Sequence, residues 1–246
     1  MKSVIAALML SAAPAMALDI TAMTPEEKAA FGQAVRDYLM ENPEVLIESI
    51  NVLEERRASE DAQNDKVLVA ANTGDLFNDG HSWEGGNPQG DVTMVAFIDY
   101  RCSWCRRIAA DIHDVTEKDG NIRLILKEFP ILGQDSEASS RFAVAVRQVA
   151  GDEAYMRAHD ALMEMRGPAT LEALKELAAD LGVDGEAVVN AMNTEEVSAV
   201  LRANRQLADR MRIMGTPTFV IGEELLRGVP PNGLAAVVAE VRESRG

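Results

Sequence analysis

Two cysteines stand three positions apart in the stretch DYRCSWCRR, as Cys102 and Cys105, and the 246-residue chain has no others. A bridge between them closes a very short loop. Such a loop restrains an unfolded chain little, so the pair is a poor staple. What two sulfurs at this spacing can do is exchange disulfides. The thiolate is the form that attacks a disulfide sulfur and the form that leaves easily. A run of β-formers, DVTMVAFIDY, precedes the pair, and a helical pattern starts at Ser103. Cys102 therefore falls at a helix N-terminus, where unpaired N–H groups and the helix dipole favour an anion. Arg101, Arg106 and Arg107 add positive potential. Each unit of lowered thiol pKa stabilises the anion by about 1.36 kcal/mol. Cys102 is thus predicted to be the exposed nucleophile. Cys105, one turn further in, is predicted to be the shielded sulfur that resolves a mixed disulfide. About 30 mV of potential corresponds to about 1.4 kcal/mol for such a couple. Small changes around Ser103 and Trp104 can therefore separate an oxidase from an isomerase.

Other chemistry for the pair is weaker. Structural zinc takes four ligands, and His81, His113 and His159 lie far apart with no ligand spacing. They read as ordinary surface or helix residues, and no metal is expected. A Cu(I) thiolate site with methionine is chemically open. Yet Met156, Met163, Met165, Met192, Met211 and Met214 lie in helical stretches, where methionine usually fills core space. Trp104 reads equally as a substrate-facing aromatic or as packing.

The elements that position the sulfurs can be read outward from them. The helix after Ser103 carries Ile108, Ile112 and Val115 on one side and ends at Gly120. NIRLILKEFPIL follows as a second buried strand, giving a βαβ unit and a parallel pair. From Ser136 to about Arg212 the pattern is helical, with breaks at Gly151, Gly167-Pro168 and Gly182. GTPTFVIGEELLRG predicts a hairpin turning at Gly222-Glu223, and a last helix starts near Pro231. Upstream, the turn-rich LFNDGHSWEGGNPQG suggests a short edge strand near Leu76-Phe77, then turns at Gly85-Gly86.

Further upstream lie two amphipathic helices. Thr24, Pro25 and Glu27 make a capping box with proline at the first helical position. Phe31, Val35, Tyr38 and Leu39 form one stripe; Leu46, Ile50 and Leu53 form another, beyond the break at Asn42-Pro43. Two helices cannot bury both stripes on each other, so they pack either on the main domain or, as the favoured expectation, on a second copy of the chain.

The first seventeen residues, MKSVIAALMLSAAPAMA, have the pattern of a secretory signal: a lysine, a short apolar run and Ala15-Met16-Ala17. Export permits disulfide chemistry. No other apolar stretch approaches the ~18 residues that a membrane span needs. A net charge of −16 argues against nucleic acid as a partner.

FIDYRCSWC, ILKEFPILGQDS and GTPTFVIG together resemble the DsbA-type periplasmic thiol-disulfide oxidoreductases of thioredoxin fold. YLMENPEVLIESI resembles the oligomerisation segment of the ScsC-like members, named for suppression of copper sensitivity. The resemblance implies an α/β thioredoxin-like fold with an inserted helical subdomain at about 136–205, preceded by an N-terminal helical segment. The expected domains are a signal peptide at 1–17, an oligomerisation segment at 18–72 and the DsbA-like domain at 73–246. The resemblance also implies that Cys102 attacks and Cys105 resolves. It implies that Pro217 is cis and faces the disulfide, with Thr216 presenting backbone to a substrate peptide. The family pattern places an acidic residue six positions before the first cysteine. Ala96 stands there, and Glu128, on the adjacent strand, is the candidate replacement.

The expected function is a periplasmic isomerase or reductase acting on unfolded or misoxidised exported proteins. It works as a dimer or trimer, is served by a membrane redox partner, and needs no cofactor beyond the Cys102–Cys105 disulfide. A DsbA-like oxidase is the alternative. A non-catalytic Cu(I) binder or holdase is the rival of another class.

Overall fold

In the computed structural model, which describes residues 23–244, the apolar run after Asp91 becomes the middle strand of a five-stranded sheet. The strands are β1 (Trp83–Gly86), β2 (Val92–Ile98), β3 (Ile122–Glu128), β4 (Thr218–Ile221) and β5 (Glu224–Arg227), in the order β1-β3-β2-β4-β5. β2 and β3 run parallel, and the other three pairings are antiparallel. The helix α4 (Ser103–Asp119) makes the crossover between the parallel pair and ends on Gly120 in the left-handed conformation.

Both faces of β2 and β3 are covered, which is why they read as continuous apolar runs rather than alternating ones. Successive side chains still point to opposite faces. Met94, Ala96, Ile98 and Tyr100 belong to one core with Leu124 and Leu126, α4 and the last helix α9 (Leu234–Glu243). Val95, Phe97, Ile125 and Phe129 belong to the other, with Leu76, Leu207 and Met211. Between β3 and β4 lie α5 (Gln134–Glu164), α6 (Leu171–Asp180), α7 (Gly185–Ala191) and α8 (Glu195–Arg210). Gly151 interrupts α5 with φ 84° and ψ −175°. Thr170, Asp184 and Thr194 cap the next three helices.

Two local expectations fail. Leu76-Phe77 is not a strand but the end of a one-turn helix, α3 (Thr73–Phe77). Leu76 has to enter the second core, and a helical turn after the polar Asn72 delivers it there fully buried. Gly85-Gly86 is not a turn but the end of the edge strand β1, opposite Leu124 and Arg123. A Cβ at Gly85 would meet the Trp83 ring, and one at Gly86, where φ is 68°, would meet the Ile122 carbonyl oxygen at 2.3 Å. The glycines are there for close approach, not for a bend.

The chain divides into two compact units between Arg57 and Ala58. In the first, α1 (Pro25–Glu41) carries the expected capping box and buries no residue. The start of α2 (Glu44–Ala71) leaves Leu46, Ile50 and Leu53 exposed, as α1 does Phe31, Val35 and Tyr38. The later part of α2 belongs to the second unit. There Val69 enters the core, Asp65 pairs with Arg227 and Lys66 with Glu224. The expected N-terminal segment 18–72 therefore spans both units. The expected signal peptide lies outside the described residues. Among the described residues, no helix is long and apolar enough to cross a membrane.

Candidate active site

The turn from β2 into α4 is held by Asp99, whose carboxylate is fully buried. It accepts from the Arg101 amide at 2.7 Å and the Ser136 hydroxyl at 2.8 Å on one oxygen. On the other it accepts from the Ile131 and Leu132 amides at 2.8 and 3.1 Å. One side chain thus ties the strand end, the loop after β3 and the first turn of α5 together. Cys102 is then the N-cap of α4, and Cys105 lies inside its first turn.

Both sulfurs are free thiols. Cys102 keeps 8% of its surface exposed and Cys105 1%, so the leading sulfur is more accessible but less open than expected. It sits against the loop before β4, where the Thr216–Pro217 bond is cis. Its Sγ lies 3.1 Å from the Thr216 carbonyl oxygen. Thr216 offers this sulfur two contacts of opposite sense. The carbonyl accepts from the thiol; the side chain donates to the thiolate. Burial alone would raise the Cys102 thiol above 9.0. Hydrogen bonds from the Thr216 side chain and from the Cys105 and Trp104 amides outweigh it and hold the thiol lower. Burial pushes Cys105 up to about 12, and an anion at Cys102 adds to this. One sulfur is therefore prepared to ionise, while the other holds its proton.

The arginines act differently from expectation. Arg106 donates to the Tyr100 carbonyl at 2.6 Å and to the Met165 carbonyl at 2.7 Å. Arg101 reaches the same Met165 oxygen at 3.4 Å. They bind the start of α4 to the end of α5, and the Thr216 side chain with the Cys105 and Trp104 amides, rather than the guanidiniums, favours the Cys102 anion. Trp104 is 54% exposed, with the Arg107 guanidinium 3.8 Å above its ring. It is not core packing.

Residues 93–236 match the family of the DsbA-like thioredoxin domain. This chain belongs to that family. Residues 27–60 match the N-terminal domain of the copper resistance protein ScsC. A thioredoxin-like oxidoreductase from Silicibacter pomeroyi DSS-3 is 36% identical; the match covers 70% of this chain and 96% of that one, with a TM-score of 0.64. Proteus mirabilis ScsC in a transitional conformation is 26% identical, covering 92% and 100%, with a TM-score of 0.65. A periplasmic thioredoxin-like protein from Salmonella enterica serovar Typhimurium is 29% identical, covering 68% and 94%, with a TM-score of 0.60. No curated protein matches the chain.

In this DsbA-like chain Ala96 is fully buried and pairs with Leu126 and Phe219. Glu128 opposes Ile98, two residues further along β2. Its carboxylate accepts from the Tyr100 and Tyr155 hydroxyls on Oε1 and from the Ser140 hydroxyl on Oε2, each at 2.7 Å. Burial still pushes it up to about 7. The network continues from the Tyr100 hydroxyl to His159 Nδ1 at 3.2 Å.

These side chains are scattered along the sequence, as are the histidines. The packing of α4 on α5 brings the His113 and His159 rings to 6.2 Å. His81 stays separate, beside Asp79. A signal was present in principle. Tyr100, Tyr155 and Glu128 are polar or ionisable groups on otherwise apolar faces, which is where buried networks occur.

Proposed function

We propose that this chain is an exported thiol-disulfide oxidoreductase in which Cys102 attacks and Cys105 resolves. The observation that carries the reading is the placement of Cys102 at the α4 N-cap against the Thr216 carbonyl, with Cys105 buried three residues on. The Cys102 thiolate attacks one sulfur of a substrate disulfide, forming a mixed disulfide and releasing the other sulfur as thiolate. Cys105, once deprotonated, attacks Cys102 Sγ. The substrate leaves as a dithiol, and Cys102 and Cys105 are left oxidised. If a substrate thiolate completes the exchange instead, the substrate is rearranged and the enzyme is regenerated reduced. Thr216, Pro217 and the exposed Trp104 are the candidate substrate contacts around the leading sulfur.

Isomerase or reductase activity is the preferred reading. The exposed apolar stripes of the first unit and its match to the ScsC N-terminal domain support a dimer or trimer. Several sites in one assembly can hold and rearrange one substrate. A DsbA-like oxidase is the second reading. It is favoured by the stabilised Cys102 anion, which makes a disulfide more oxidising. The similarity to a periplasmic protein and the signal pattern support the periplasm, with unfolded or misoxidised exported proteins as substrates and a membrane redox partner.

Insulin reduction and refolding of scrambled ribonuclease test this. The native chain should catalyse both, and Cys102→Ser neither. Iodoacetamide should label Cys102 with a midpoint below pH 9.0, while Cys105 stays protonated until pH approaches about 12. Activity retained by Cys102→Ser would leave a Cu(I) binder or holdase instead.

A further inference from the structure

We propose that His113, His159 and Asp160 form a binding site for a divalent first-row cation, Zn²⁺ in the first instance, between α4 and α5. A ring nitrogen of each histidine and an Asp160 carboxylate oxygen lie within 4.8 Å of one another. His113 Nε2 and Asp160 Oδ1 are 3.4 Å apart. In a tetrahedral zinc site with bonds of 2.0–2.1 Å, neighbouring ligand atoms are about 3.3 Å apart. That edge is therefore already in place, and the third donor needs a small closing movement.

The ligand set suits the ion. Two imidazoles and one carboxylate, with a fourth position open to water, form a known zinc pattern. Metal-bound histidines are usually oriented by a hydrogen bond to the other ring nitrogen. His159 has such a bond. With Glu128 as the carboxylate, Tyr100 gives its single proton to Glu128. Its oxygen must then accept from His159 Nδ1, 3.2 Å away. This leaves His159 Nε2 with a bare lone pair for a ligand. Access from solvent reaches two of the three donors: a cavity of about 340 Å³ is lined by His113 and Asp160, with Thr116, Glu117 and Met156, while His159 is buried behind them. Glu117, one turn beyond His113, offers a carboxylate at its edge.

The site uses neither sulfur, yet it is built on the same helix. α4 carries Cys102 and Cys105 in its first turn and His113 two turns later. A bound ion would clamp the redox helix to α5.

The test uses the full chain with Cys102→Ser and Cys105→Ser, so that no thiol competes for metal. Zinc is titrated against a chromophoric chelator at pH 7.5. One equivalent should bind. His113→Gln and Asp160→Asn should each weaken binding at least tenfold, and Tyr100→Phe, which removes the orienting group, by 10- to 100-fold. Circular dichroism without metal checks that each variant is folded. Zinc should raise the melting temperature of the parent but not of His113→Gln. Absence of stoichiometric binding by the folded parent, or affinity unchanged in both His113→Gln and Asp160→Asn, overturns the proposal.

Discussion

Glu128 places a buried carboxylate on β3, beside the strand on which Ala96 stands. It is ringed by the hydroxyls of Tyr100, Tyr155 and Ser140. Three donors favour its anion, and burial outweighs them. The sign of the resulting pH dependence follows directly. Between about pH 4.5 and 7 the unfolded chain has lost this proton and the folded chain keeps it. Stability should therefore fall as pH rises through that window, by about 1.4 kcal/mol per unit from this group, and level off above it. Glu128→Gln removes the titration. Denaturant midpoints of the two proteins, taken at half-unit steps, should converge or diverge only inside that window. Parallel curves across it would show that Glu128 ionises alike in both states. Tyr100 links this carboxylate to His159. One buried network thus adjoins the end of the strand that leads to Cys102.

At the scale of elements, β3 is pinned on both faces by a charged residue. Glu128 serves one face; Lys127, fully buried, serves the other. The Lys127 ammonium lies 2.5 Å from Asp79 and 3.2 Å from the Ser82 hydroxyl. Burial would raise Asp79, but Lys127 reverses this and holds its carboxyl well below the usual range. Asp79 also accepts from the His81 and Ser82 amides, so the pair shapes the whole approach to β1. Removing one partner of a buried pair leaves the other charge uncompensated, at a cost of about 3–5 kcal/mol. Lys127→Met should lose that much in urea unfolding at pH 7. A loss under 1 kcal/mol would mean that water already reaches the pair. On the acid side the contribution should disappear as pH falls below 3.8 and through the depressed value of Asp79.

For the whole molecule, the useful cut falls inside α2. Residues after Ala58 belong to the second unit, which needs Val69 and the pairs Asp65–Arg227 and Lys66–Glu224. A chain starting at residue 58 keeps them and removes every exposed stripe residue of α1 and early α2. Light scattering should give two or three copies for a chain starting at residue 18 and one copy for the shorter chain. Ribonuclease isomerisation should fall with the assembly, while insulin reduction survives. Two monomers, or two assemblies of equal copy number, would remove the N-terminal helices from the account.

What the sequence determined was whatever is local. Spacing placed the cysteines at a strand-to-helix junction, caps marked the start of α1 and the end of α4, and apolar runs marked β2 and β3. Repeating patterns of this kind report which face is buried without any knowledge of the partner. The tertiary structure alone decided what depends on distant partners. It set Thr216 against Cys102, gathered donors around Glu128 and brought His113 beside His159. It also turned Leu76 into a helix and Gly85-Gly86 into a strand. Each of these outcomes rests on a neighbour far away in the chain, and no pattern along a single segment encodes which neighbour that will be.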